Sequence, residues 1–188
     1  MPPRVKITKK DIIDKAIEMV RAKGIECINA RDLASALGCS TQPIFSNFES
    51  INQLCEEIIR EADRLYVEFS EREMQSGKYP PYKASGMAYI RFAKEESQLF
   101  KLLFMRDRSS ENPSDENAFL DKIMGIVRNN TGLDMDTAKL FHLEMWAFGH
   151  GIASMIVTGY FDVDMELVSK MMSDAYLGIK RHYEEVSI

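Results

Sequence analysis

Residues 30–48 read ARDLASALGCSTQPIFSNF, and their spacing predicts two short helices clasped around a tight corner. Asn29 is placed to cap a helix from Ala30 to Leu37, with Gly38 as its stop. Ser40 is placed to cap a second, from Thr41 to Asn47. Pro43 falls in that helix's first turn, where a missing amide hydrogen costs little. Ala34 is small where the two helices must cross closely. Gly38 has the freedom for the left-handed backbone the corner needs, and Leu33, Leu37, Ile44 and Phe48 supply apolar anchors beneath. This is helix-turn-helix spacing. It makes the second helix project, with Ser40, Thr41, Gln42, Ser46 and Asn47 placed to reach base edges in a major groove. The same spacing also serves helical hairpins inside bundles, so on its own it leaves both readings open.

Upstream, Thr8 caps an amphipathic helix carrying Ile12, Ile13, Ala16, Ile17, Met19 and Val20 on one broad face, ended by Gly24. Arg4, Lys6, Lys9 and Lys10 precede any acidic residue and form a short basic arm of the kind that neutralises phosphates. Residues 1–48 hold eight basic and five acidic side chains, a local +3, within a chain of net charge −5. The two parts of the chain therefore suit different partners.

Downstream, the 3.6-residue periodicity continues almost without interruption, and no alternating run or Asn-Gly or Asp-Gly turn signals a hairpin. Ser50 opens a long helix from Ile51 to about Met74, with Leu54, Ile58, Ala62, Leu65 and Phe69 on one stripe. Gly77 and Pro80-Pro81 break it. Further helices are expected near Tyr82–Lys94, Gln98–Met105, Asp115–Asn129, Met135–Thr158 and Met165–Glu184, with a polar loop over 107–115. The expected fold is all-α, with about nine helices.

Several classes of function are disfavoured. Cys27, Cys39 and Cys55 form neither a CxxC pair nor an even-numbered framework, which speaks against disulfide scaffolds and zinc fingers and for reducing cytosol. The first fifteen residues are too charged for a leader peptide, so a cytoplasmic location is expected. The apolar window 145–161 is short and broken by three glycines and His150, so no membrane partner is expected. The motifs HExxH, GxSxG, GxGxxG and a P-loop are missing, so neither catalysis nor a cofactor is anticipated. His142 and His150 lie about 12 Å apart along a helix, too far to share a metal.

The stretch from Phe92 onward is rich in large adaptable side chains, and the protein's twelve methionines suit irregular apolar space. An ordinary helical core and a ligand cavity both fit this composition. Gly149, Gly151, Ala153 and Ser154 permit close helix approach, either within the chain or between copies.

The chain resembles TetR/AcrR-type transcriptional regulators. The resemblance rests on the first helix ending in Gly24, the run ARDLASALGCS, the aromatic pair Phe45 and Phe48, and Ser50 with Leu54 opening the fourth helix. It is specific over residues 8–60 and architectural beyond. It implies a DNA-binding domain over 1–50 and a helical effector-binding and dimerisation domain over 51–188. The implied activity is sequence-specific binding to double-stranded operator DNA, as a repressor released by a small apolar or amphipathic effector, with a homodimer formed through the last two helices. Phe92, Phe104, Met124, Met145, Trp146 and His150 are the expected effector contacts. The other reading of His150, and the one its position favours, is a buried polar contact. Two positions depart from the family pattern: Phe45 stands where a tyrosine hydroxyl commonly meets a phosphate, and Ile51 where a lysine commonly does. The basic arm and the start of the fourth helix are therefore expected to carry more of the backbone contact. The rival reading is a helical protein-interaction module with a vestigial helix-turn-helix.

Overall fold

The computed structural model describes residues 7–109 and 118–186. The described residues form nine α-helices and no strand: α1 Lys9–Lys23, α2 Ala30–Ala36, α3 Gln42–Asn47, α4 Ile51–Gln75, α5 Pro81–Glu95, α6 Ser97–Phe104, α7 Ala118–Thr131, α8 Met135–Val157 and α9 Met165–Val186. A single 3₁₀ turn, Ile25–Cys27, follows α1. Arg4 and Lys6 of the expected arm, and Asp115 at the expected start of the seventh helix, lie outside the described residues.

Local chemistry fixes the helix ends. Thr8 and Asp11 form a reciprocal capping box: the Thr8 hydroxyl accepts from the Asp11 amide at 3.1 Å, and the Asp11 carboxylate accepts from the Thr8 amide at 2.8 Å. The Asn29 side-chain oxygen accepts from the Arg31 and Asp32 amides at 3.1 and 3.0 Å, as its predicted capping role requires. Asp134 does the same for α8. Gly24 takes φ 83° and Gly38 φ 66°, the left-handed conformations that turn the chain out of α1 and α2.

The start of α3 differs from expectation. Thr41, not Ser40, is the N-cap residue, and its side chain makes no capping bond. Thr41 already has helical dihedrals, so no extended residue stands at the entry from which a hydroxyl could reach back to the first free amides. Pro43 tolerates this entry because it has no amide hydrogen to satisfy.

The chain divides into two compact units. The first comprises the described residues up to Leu65 together with Glu96–Arg106, so by packing it extends past residue 50 into α4 and includes α6. Here α1 packs on α2, α3 and α6. The fully buried side chains include Ile12, Leu33, Ile44, Leu54, Ile58, Leu99 and Phe100. Each contributes on the order of 1.5–3 kcal/mol by leaving water. Leu37, expected as a core anchor, is half-buried. Arg21 holds Glu96 through two hydrogen bonds of 2.9 Å, tying α1 to the start of α6.

The second unit comprises Tyr66–Glu95 and the described residues from Asp107 onward. Its central element is α5, which buries Tyr82, Ala84, Met87, Ala88, Tyr89, Ile90, Phe92 and Ala93. A helix buried on this many sides must be surrounded, and α5 packs against α7, α8 and α9. The α4 stripe keeps Leu54, Ile58 and Ala62 fully buried in the first unit. In the second unit Phe69 is half-buried and Ser70 takes the buried place. No helix among the described residues is long and apolar enough to cross a membrane.

Candidate nucleic-acid interface and effector site

The third helix is seated by two apolar anchors, Ile44 and Phe48, which are 0% and 3% exposed. Anchoring one face of so short a helix decides what the other presents. Gln42, Phe45 and Ser46 are exposed, Thr41 and Asn47 half-buried, and Ser40 exposed in the turn before the helix. The Ser46 hydroxyl donates to the Gln42 carbonyl at 2.9 Å, and the Asn47 amide donates to the Pro43 carbonyl at 2.7 Å. Both side chains are therefore engaged by their own helix. Gln42, whose amide can pair bidentately with a base edge, is the polar group best placed for readout.

Phe45 presents its ring to solvent, 53% exposed, amid these polar groups. It offers no donor to a phosphate, and half-buried Ile51 offers none at the start of α4.

The two described lysines of the basic arm are held by carboxylates. Lys9 Nζ lies 2.9 Å from Glu57 and 5.4 Å from the centre of the Phe48 ring. The Lys9 hydrogen bond holds the Glu57 carboxyl below its usual range. Lys10 Nζ lies 2.5 Å from Asp14, whose hydrogen bond raises the lysine's pKa. Both pairs sit at the surface, where such pairs are weak and readily exchanged for a phosphate.

Of the six expected effector contacts, five fall in the second unit: Phe92 on α5, Met124 on α7, and Met145, Trp146 and His150 on α8. Phe104 is the sixth. It belongs to α6 in the first unit, where its ring packs on Phe100 at 5.0 Å. The amphipathic period of 98–105 was equally compatible with either core, and only tertiary packing assigns it.

Two hydrogen bonds link α5 to α8 in register. The Tyr82 hydroxyl meets His142 Nδ1 at 3.0 Å, and the Tyr89 hydroxyl meets His150 Nδ1 at 2.8 Å. Seven residues separate the tyrosines and eight the histidines, so the two pairs sit about two turns apart along helices packed side by side. Burial lowers both imidazole pKa values from 6.5 and raises both phenols, keeping all four groups neutral. His150 thus makes a part-buried polar contact with Tyr89.

Around the second pair the rings collect. Trp146 stacks on His150 at 5.0 Å and 20°, and Tyr66 meets Phe92 at 5.3 Å, Phe119 at 5.9 Å and Tyr89 at 6.1 Å, all edge to face. Phe69 packs on Phe92 at 5.5 Å. Tyr66, Tyr89 and Phe69 were not among the expected contacts. Their signal was present as aromatic residues at helical spacing in α4 and α5, which sequence periodicity alone assigns to core.

The small residues of α8 separate into two roles. Gly149 and Ala153 are buried, with a methionine of α9, Met172, beside Gly149. Gly151 is open, on the face that also exposes Leu140, Leu143 and Ala147.

A model of the tetracyclin repressor-like C-terminal domain family matches residues 82–175, half of the 188-residue chain. No curated protein matches the sequence. Among solved structures, the chain is similar to the regulatory protein SCO4313, with a TM-score of 0.68 and 21% identity, over 90% of this chain and 94% of that one. It is also similar to a TetR-like transcriptional regulator from Rhodococcus sp. RHA1, with a TM-score of 0.65 and 12% identity, over 94% and 96%. A TetR family protein from Vibrio parahaemolyticus gives a TM-score of 0.62 at 15% identity, over 89% and 96%. At these identities the structural likeness establishes the fold.

Proposed function

The chain belongs to the TetR family of transcriptional regulators, and on that premise we propose that it is a sequence-specific repressor that a small apolar or amphipathic effector releases from its operator. The observation that carries this reading is α3 itself: Ile44 and Phe48 face inward, and Gln42, at the helix's first position, and Ser46 stand outward. In this reading Gln42 reads a base edge, with Ser40, Thr41, Ser46 and Asn47 beside it. Lys9 and Lys10 exchange their carboxylate partners for phosphates, and Arg4 and Lys6 add to the same backbone contact. The operator-binding part corresponds to residues 1–50 and the effector-binding and dimerising part to 51–188.

The effector lies against Phe92, Met124, Met145, Trp146 and His150. The twofold partner is a second copy of the chain, covering the α8 face of Leu140, Leu143, Ala147 and Gly151 together with α9. The open Gly151 allows close approach there, and leucines about half-exposed on a single helix face call for a cover. Two recognition helices in such a dimer address half-sites about 34–36 Å apart. Because α4 contributes residues to both units, a ligand that shifts it changes operator affinity without touching DNA. A hundredfold release requires about 2.7 kcal/mol of preference for the non-binding state, which a few buried apolar contacts supply.

The test is selection of bound sequences from random duplexes by the purified protein, followed by binding at several salt concentrations. The expected outcome is a palindrome with half-sites about 10 base pairs apart, bound with a steep salt dependence. Recovery of no preferred sequence contradicts the proposal. It would favour the rival, a helical protein-interaction module, which the exposed Phe45 ring supports.

A further inference from the structure

Ser70 is 0% exposed, and its hydroxyl has no hydrogen-bond partner. Helical serines ordinarily return such a bond to the carbonyl one turn back, and buried hydroxyls almost always find a partner. Ser70 lies one turn beyond Tyr66 on the same face of α4, and Tyr66 packs edge to face against Tyr89, Phe92 and Phe119. An unpartnered donor and acceptor is thus buried at the edge of a nest of aromatic rings.

The charges around this nest are already matched. Arg91 binds Glu73 at 2.7 Å and Glu95 at 2.8 Å, and Lys122 binds Glu71 at 2.7 Å. Tyr89 and His150 bond one another and stay neutral. Arg72 lies over the Phe69 ring, 5.6 Å from its centre, and is exposed to solvent. A buried ligand would therefore meet ring surfaces and neutral hydroxyls rather than an unmatched charge. Rings set edge to face present quadrupoles that suit a flat aromatic guest.

We propose that this nest takes an uncharged, flat aromatic molecule bearing one hydrogen-bonding oxygen, and that Ser70 is the residue that bonds it. The inference rests on the effector reading above and narrows the effector's chemistry. Specificity follows because a buried hydroxyl left unpaired penalises any guest that lacks the matching group.

The test is calorimetric titration of the full chain with 2-naphthol, naphthalene, 2-naphthoate and decanoate. The expected result is that 2-naphthol binds at least tenfold more tightly than each of the other three. Ser70→Ala should bring 2-naphthol down to the affinity of naphthalene and leave naphthalene unchanged. The same variant should melt no lower than the parent, because it removes an unpartnered polar group; a purely structural serine would show a lower melting temperature and equal losses for all four compounds. Equal binding of 2-naphthol and naphthalene, tightest binding of 2-naphthoate or decanoate, insensitivity to Ser70→Ala, or binding of none of the four overturns the inference. A gel shift run in parallel separates it from the regulator reading. Ser70-dependent binding of 2-naphthol to a protein that selects no DNA upholds this site and breaks only the regulator reading. An operator released by decanoate, with 2-naphthol not held by Ser70, breaks this site alone.

Discussion

The two units are fastened by different means. In the first, the ends of short helices are fixed by contacts a few residues long, Thr8 with Asp11, Asn29 with Asp32, and Gly24 and Gly38 in left-handed turns, and its helices are joined by the charged pairs Arg21–Glu96 and Lys9–Glu57. In the second, long helices are joined across sixty residues by Tyr82–His142 and Tyr89–His150 and by a network of rings. A unit whose helix ends are capped and whose helices are tied by charged pairs holds one short helix in a fixed orientation, as base reading requires. A unit closed by rings and neutral polar pairs has contacts that a guest of similar chemistry can replace. The difference in construction matches the division of labour proposed for the two parts.

The sharpest way to break the comparison is to empty each core. Phe92→Ala should cost about 3–5 kcal/mol and Leu33→Ala about 2–5 kcal/mol, since both side chains are essentially inaccessible to water. Denaturant unfolding measures both. A Phe92→Ala loss below 1 kcal/mol would show that the ring network contributes little to stability.

A smaller effect probes local closure. Asn29→Ala removes the acceptor for two free amides of α2 and should cost about 1 kcal/mol, while Asn29→Gly should cost only a few tenths. Equal losses from the two variants would assign the role to something other than the cap.

The smallest effect distinguishes the units by pH. Burial holds His142 and His150 below 6.5, so near that value the unfolded chain binds protons that the folded chain does not. Stability contributed by these neutral histidines is therefore lost as pH falls through 6.5 toward their lower folded values. In the first unit, the depressed carboxyls of Asp11, Glu57 and Glu61 keep their contribution until pH falls below their ordinary values of 3.8 and 4.5. Melting followed by the fluorescence of Trp146, the protein's one tryptophan, should shift downward between pH 7.5 and 5.5. The shift should flatten in the His142→Gln, His150→Gln double variant. An unchanged slope in that variant would remove the histidines from the account.

The same contrast explains what could be read without coordinates. Capping residues, corner glycines and amphipathic periods act over a few positions, so Thr8, Gly24, Asn29 and Gly38 announced the first unit. The cap of α3 was misplaced by one residue because the backbone at Thr41, and not side-chain type, decides where that helix begins. In the second unit, helices were legible but their partners were not. Nothing in the period of α6 says that the Phe104 ring packs on Phe100, and nothing in α4 marks Ser70 as fully buried. Such pairings depend on how distant helices cross, which composition and spacing leave open.

The central claim is that α3 reads bases while the basic arm binds backbone, and binding of Gln42→Ala and Lys10→Ala to a set of single-base operator variants tests it most directly. Gln42→Ala should erase about 1–3 kcal/mol of discrimination at one position of each half-site, and Lys10→Ala should weaken all duplexes alike and lower the salt slope by about one. Uniform weakening by Gln42→Ala, with altered base preference from Lys10→Ala, would contradict it.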